Sequence, residues 1–339
     1  MTTSDFWQSV DARLAQGEPV FIAIVAAATR GSPGTPGARL LLGRDGMIEG
    51  TIGGGIMERT LLDEARARLD AGPAPPQLVR QVHRRNTPDA SGLICAGEQH
   101  NLTAVLDPRS DLAPIQQFCR ALADQDAHCS TLAIDKTSLH CSKAGPDPAG
   151  TLRLEQPGDD WHYFEESLNR RRLAIIGGGH CGLALARLAA DIGYHIDVFD
   201  TRAGVFDDAA WPVGVARHVP DTYAEVAHAI HHPDFTRVVV MTTAVDGDIE
   251  ALAALAPLQW PWLGVMGSRA KIDHIHKTLA AQGMPDAQRE RIHGPIGLEM
   301  KSDTPPEIAV SIMAQLLAAE PRATEGESAR RRQTEHNAR

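Results

Sequence analysis

Two glycine clusters stand where a strand-like run meets a helix-like run. Gly53-Gly54-Gly55 precedes the helical pattern Ile56–Leu62, and Gly177-Gly178-Gly179-His180-Cys181-Gly182 follows Leu173-Ala174-Ile175-Ile176. Glycine lets the backbone come close to a ligand, and a helix N-terminus presents unpaired N–H groups and the positive end of its dipole. Such places suit an anionic, phosphorylated small molecule. The 33 basic and 43 acidic residues leave a net charge of −10. That argues against nucleic acid or an anionic membrane as a general partner, so local donors must hold the anion.

Gly177, Gly179 and Gly182 fit G-x-G-x-x-G in the required place, after a strand and at the start of a helix. The next strand, His195–Phe199, runs into Asp200. An acid there accepts from a ribose 2′-hydroxyl and favours an NAD-like ligand, whereas Arg202 would suit a 2′-phosphate. The pattern points to a Rossmann-type fold more strongly than to dinucleotide binding, because the same scaffold also carries loops that bind something else or nothing. No dehydrogenase proton-donor signature accompanies it.

The first cluster, Gly50–Glu58, would wrap backbone N–H groups around an anion at a helix start. A ligand-free turn is the alternative, and the conformational cost of three consecutive glycines favours the ligand. Cys95 is flanked by small residues in Gly92-Leu93-Ile94-Cys95-Ala96-Gly97. A thiolate is a soft metal donor, although a free cysteine taken alone is more often a small buried hydrophobe. Cys119, Cys129 and Cys141 take that plainer reading, and Cys181 lies inside the second glycine loop. There is no CxxC, and an odd number of cysteines reads as reduced thiols. His228, His231 and His232 share a helical face without cysteine or carboxylate partners and read as solvated surface. Residues 1–7 carry no signal-peptide pattern, and no apolar run approaches the ~20 residues of a membrane span. The expected location is cytoplasmic, with no membrane and no nucleic acid as partner.

Elements that would position these residues follow from periodicity. Ser4–Gln16 reads as an amphipathic helix, and Pro19–Thr29 as a buried strand. Gly31–Gly37 reads as a loop, and Gly43–Gly46 as the turn of a hairpin. A helix runs from Ile56 to Ala71 with Gly72 beyond its end. Shorter strands are expected near 78–82, 101–106, 131–134 and 138–141, with a helix over 111–126. From Leu173 strands and helices alternate, which predicts a parallel sheet covered on both faces. The fold class is therefore α/β: an N-terminal α/β domain over 1–155, a Rossmann-like doubly wound domain over 170–320, and a charged, disordered tail over 321–339. The polar stretch Glu155–Arg172 is read as the boundary.

Seven segments occur in the order seen in XdhC-type proteins, the xanthine dehydrogenase accessory proteins. They are Gly31–Arg39, Gly50–Glu58, Cys95-Ala96-Gly97, Ile175–Gly182, Gly267-Ser268-Arg269-Ala270-Lys271, Pro295–Leu298 and Pro306–Ile312. The chain resembles this family from about Val20 to Leu317. The resemblance implies a molybdenum cofactor chaperone. Such a protein binds the mature cofactor (molybdopterin with its metal), protects it from oxidation and supports its sulfuration by a cysteine desulfurase. It then delivers the cofactor to xanthine dehydrogenase. On that reading Gly53, Gly54, Gly55, Glu58 and Cys95 contact the cofactor, with Cys95 the metal ligand. Gly177, Gly179, Gly182 and Asp200 hold cofactor or an NAD-like nucleotide. A homodimer is the expected assembly, and the role is that of an accessory factor without a catalytic residue. The alternative is an NAD(P)-dependent oxidoreductase built on the Rossmann domain. The sequence departs from the family pattern at Ala96, at Gly34, and at Thr242–Asp248. The last lacks two histidines, so no role resting on them carries over.

Overall fold

The computed structural model describes residues 1–83, 97–124, 129–147, 150–157, 159–207 and 211–320. Cys95, Ala96 and the expected tail lie outside the described residues. The chain divides into two compact units, Met1–Asn169 and Arg170–Arg339.

The N-terminal unit runs α1 (Thr3–Ala15), β1 (Val20–Ala28), β2 (Arg39–Gly43), β3 (Ile48–Gly50), α2 (Gly55–Ala71), β4 (Ala74–His83), β5 (Gly97–Leu106), α3 (Leu112–Ala123), β6 (Ser130–Asp135), β7 (Leu139–Lys143), β8 (Leu152–Glu155) and β9 (His162–Glu166). One sheet has the order β3-β2-β1-β5-β4 and the other β7-β6-β9-β8. Their ladders are antiparallel. The apolar run of β1 is continuous because both of its faces are covered. Phe21, Ala23 and Val25 pack with Leu61, Ala65 and Leu69 of α2. Val20, Ile22 and Ile24 face the core formed with α1, α3 and β6. Each such side chain contributes about 1.5–3 kcal/mol on burial, so β1 anchors both layers.

The second sheet differs from expectation at β9. The polar stretch read as a domain boundary contains an interior strand, because the period-2 pattern places Tyr163 and Glu165 inside. Glu165 is fully buried and fully engaged. It accepts from Trp7 Nε1 at 3.1 Å and Arg39 Nη2 at 2.5 Å on one oxygen, and from the Tyr163 hydroxyl at 2.9 Å on the other. This network ties α1, β2 and β9 together. Desolvation, the largest effect, and the neighbouring Glu165 carboxylate raise the Tyr163 phenol well above its ordinary value.

The C-terminal unit runs β10 (Arg172–Ile176), α4 (His180–Asp191), β11 (His195–Phe199), β12 (Ala216–His218), α5 (Val226–Ala229), β13 (Thr236–Val240), α6 (Val245–Leu255), β14 (Trp262–Val265), α7 (Arg269–Ala281), α8 (Asp286–Arg289), β15 (Ile292–His293) and α9 (Pro305–Ala318). The sheet order is β12-β11-β10-β13-β14-β15, and every ladder is parallel. Alternating residues of β10 enter opposite cores. Leu173 and Ile175 pack with α4 and α9, and Ala174 and Ile176 pack with α6 and α7. Strand order reverses between β10 and β13, the place where α/β sheets open a crevice. Between β12 and β13 the helical segment is short, a 3₁₀ turn at Tyr223–Glu225 followed by α5. No helix among the described residues is long and apolar enough to cross a membrane.

Removing Glu165 leaves the Arg39 guanidinium and the Trp7 indole N–H buried without their acceptor. Glu165→Ala should cost the N-terminal unit about 3–5 kcal/mol, read by urea unfolding followed on tryptophan fluorescence. A loss under about 1 kcal/mol would remove this network as the lock between α1 and the two sheets.

Candidate functional site

Two loops and the start of β5 meet at one end of the five-stranded sheet, and glycine makes the meeting possible. A Cβ on Gly53 would stand 2.8 Å from Gly34 N and 2.8 Å from the Pro33 carbonyl carbon. A Cβ on Gly97 would stand 2.5 Å from Ser32 N and 2.8 Å from the Gly31 carbonyl carbon. The loop before β2, the turn before α2 and the first residue of β5 therefore touch backbone to backbone. Cys95 lies two residues before Gly97, in the connection between β4 and β5. Thr29 fastens the same corner. Its backbone N–H donates to the Glu98 carbonyl, and its hydroxyl accepts from Glu98 N, both at 2.8 Å.

Loop amides at a sheet end lack ladder partners, and buried ones need an acceptor. Gln99, only 2% exposed, supplies it. Its Oε1 accepts from the Ser32 hydroxyl at 2.8 Å and from Gly34 N at 3.1 Å. Its Nε2 donates to the Ile52 carbonyl at 3.3 Å and to Asn101 Oδ1 at 3.1 Å. One carboxamide on β5 thus connects both loops to that strand. Sequence reading missed Gln99. The available signal was the pair Gln99 and Asn101 at strand spacing, two polar residues on a face that is otherwise buried.

Gly53, Gly54 and Gly55 have φ of +125°, +73° and +79°, conformations that side chains disfavour. Gly54 is the N-cap of α2 and has nothing within 4 Å of a would-be Cβ, so this turn is open on its outer side. Glu58 holds it from within. Glu58 Oε2 accepts from the Thr51 hydroxyl at 2.6 Å, Ile52 N at 2.9 Å and Gly54 N at 3.1 Å. The Ile52 and Gly54 amides are therefore engaged by the chain's own carboxylate. A hollow of about 470 Å³ lies along α2, lined by Gly55, Glu58, Arg59, Leu62, Asp63 and Arg66. All six residues belong to α2, so this is an open groove along one helix face.

The second glycine loop stands by itself in the C-terminal unit. A Cβ on Gly177 would enter the Met241 carbonyl, and one on Gly182 would enter the Gly177 carbonyl, so the first and third glycines of the motif serve close packing. Gly179, the N-cap of α4, is open. Asp200 is fully buried and accepts from Gly178 N at 2.8 Å, and from Arg202 N, Nε and Nη2 at 2.9, 2.9 and 2.8 Å. Burial alone would raise its carboxyl, but the bonds from Arg202 and Gly178 outweigh that and hold it below its ordinary 3.8. Across the switch point, Asp248 Oδ1 accepts from Thr242 N at 2.9 Å and from its hydroxyl at 2.8 Å. Its other oxygen pairs with Lys271, which also donates to the Met266 carbonyl at 3.1 Å. Gly267 leaves the space through which the Lys271 stem passes, 2.5 Å from a would-be Cβ. This explains the Gly267–Lys271 segment as a brace across the ends of β13 and β14.

Residues 13–80 match the XdhC and CoxI family, and residues 173–316 match the XdhC Rossmann domain. The chain is 26% identical over 289 residues to the uncharacterized protein YqeB of Escherichia coli (strain K12), a span of 85% of this chain and 41% of that protein. It thus covers about two fifths of the length of this curated relative. The fold is similar to the crystal structure of a xanthine dehydrogenase from Bacillus halodurans, with a TM-score of 0.71 at 20% identity, covering 94% of this chain and 96% of that one.

Gln99→Leu leaves the Ser32 hydroxyl and the Gly34 amide without an acceptor. It should destabilise the N-terminal unit by about 2–6 kcal/mol, at about 1–3 kcal/mol for each of the two buried groups. A change within about 0.5 kcal/mol in urea unfolding would show that Gln99 does not hold the loops.

Asp200 has a depressed pKa in the folded state, so its contribution to stability is present above the unfolded value near 3.8 and is lost as pH falls below it. Unfolding of the C-terminal unit from pH 6 to pH 3, roughly spanning that window, should be less steep with pH in Asp200→Asn. An identical slope in both proteins would contradict this assignment.

Proposed function

Because the chain belongs to the XdhC family, we propose that it is an accessory factor in the maturation of a xanthine dehydrogenase. Its cargo on this reading is the molybdenum cofactor. The observation that carries the proposal is the convergence of Gly34, Gly53 and Gly97 at one sheet end. It brings the loop of Gly31–Gly37, the triple glycine and the first residue of β5, two positions after Cys95 in the sequence, into one place. The molecule so recognised would have an anionic end and a sulfur-loving metal end.

The N-terminus of α2, with Arg59 on the adjacent groove, suits a phosphate. The Cys95 thiolate suits molybdenum, which as a bound metal favours sulfur donors. Glu58 serves as the internal anchor of the turn before α2. The protein supplies no bond-making step of its own on this reading. It binds the cofactor, keeps oxidants away, holds it for sulfuration by a cysteine desulfurase, and releases it to xanthine dehydrogenase. The working form is a homodimer located in the cytoplasm.

Cys95→Ser keeps size and polarity while removing the soft donor. Purified after co-expression with the cofactor pathway, it should carry about tenfold less molybdenum per chain than the wild type, measured by elemental mass spectrometry with the fold checked by circular dichroism. Equal molybdenum in both proteins would contradict a metal contact at Cys95.

A further inference from the structure

We infer that the glycine loop of the Rossmann unit is closed to the adenosine half of a dinucleotide by the chain's own Asp200, Arg202, Val205 and Phe206. A dinucleotide needs two things beside the loop amides. It needs an acid at the end of the second strand with lone pairs free for ribose hydroxyls, and open surface over the loop for the ribose and base.

Asp200 has no lone pair left to give. A carboxylate offers about four acceptor positions. Asp200 Oδ1 takes the backbone and Nε protons of Arg202, and Oδ2 takes Gly178 N and Arg202 Nη2. The carboxylate is also fully buried. The same bonds use up the Nε–Nη2 edge of Arg202, the edge that would otherwise grip a 2′-phosphate in two-point fashion.

The surface is covered as well. A Cβ at Gly178 would stand 3.0 Å from Val205 Cγ2 and 3.3 Å from Phe206 Cε1. These side chains are held in place. Val205 N donates to the Arg202 carbonyl at 3.2 Å, and Trp211 Nε1 donates to the Val205 carbonyl at 3.1 Å. The Phe206 and Trp211 rings pack with centroids 5.5 Å apart. Gly179 stays open, so what is closed is the adenosine seat and not the whole loop. The residues present do not fit a nicotinamide dinucleotide, and an oxidoreductase dependent on one does not fit this chain. This inference stands apart from the cofactor-chaperone proposal and rests on none of its residues.

The test uses the full chain with NAD, NADP and AMP, by equilibrium dialysis and by energy transfer from tryptophan to NADH. The wild type should show no saturable binding with Kd below about 1 mM, the weak end of specific affinity. Saturable binding in that range that weakens in Asp200→Asn would overturn the inference. The double variant Arg202→Ala, Phe206→Ala frees the carboxylate and uncovers the loop, and should bind AMP at least about tenfold more tightly than the wild type. Where that variant does not fold, Arg202→Met tests the carboxylate part alone, since it removes both side-chain donors and retains the stem. Unchanged AMP affinity in a folded variant would overturn the assignment of closure to these side chains.

Discussion

A backbone N–H at the end of a sheet has no strand to donate to, and once buried it must find an acceptor. The loops of this protein that carry its motifs are built around that constraint. In the N-terminal unit Gln99 receives Gly34, and Glu58 receives Ile52 and Gly54. In the C-terminal unit Asp200 receives Gly178, and Asp248 receives Thr242. Each acceptor comes from an element packed beside the loop, so the loop's shape depends on the packing of that element. Glycine completes the device. At Gly34, Gly53 and Gly97 a side chain would displace a neighbouring backbone or the Gln99 amide, and only close backbone contact brings the amides within reach of their acceptors.

The two units use the device to different ends. At the triple glycine, Glu58 takes the inner amides, while Gly54 stays open beside a hollow with arginines along it. The inside is satisfied and the outside remains available. At the Rossmann loop the internal acid is itself capped by Arg202, and the adjoining side chains lie over Gly178 while Gly179 stays open. Two loops that look alike in sequence thus differ in what they leave exposed. The cofactor-chaperone reading places its ligand at the first.

Much of this architecture was legible in the sequence because it follows from periodicity. The parallel sheet was read from alternating apolar runs and helical patterns, and α2 from Ile56 to Ala71 was read nearly to its ends, with Gly72 closing it. The glycine positions were legible because the residue type announces the backbone. The partners of those glycines were not. The role of Gln99 depends on the pairing of β5 with β1 and β4, a contact between segments far apart in the chain. β9 was hidden for a similar reason. Glu165 looks like solvated surface until Trp7, Arg39 and Tyr163 surround it. Asp200 was read as a ligand contact because its position in the motif is right. Whether its lone pairs are spent depends on how the chain turns after β11, which no spacing rule encodes.

The central claim is that the cofactor is held at the end of the five-stranded sheet. Hydrogen–deuterium exchange on the full chain, with and without molybdenum cofactor, tests it most directly. The account predicts slowed exchange at amides of residues 31–37, 53–57 and 97–99 on cofactor addition, with residues 177–182 unchanged. Protection confined to residues 177–182, with the N-terminal loops unaffected, would contradict it.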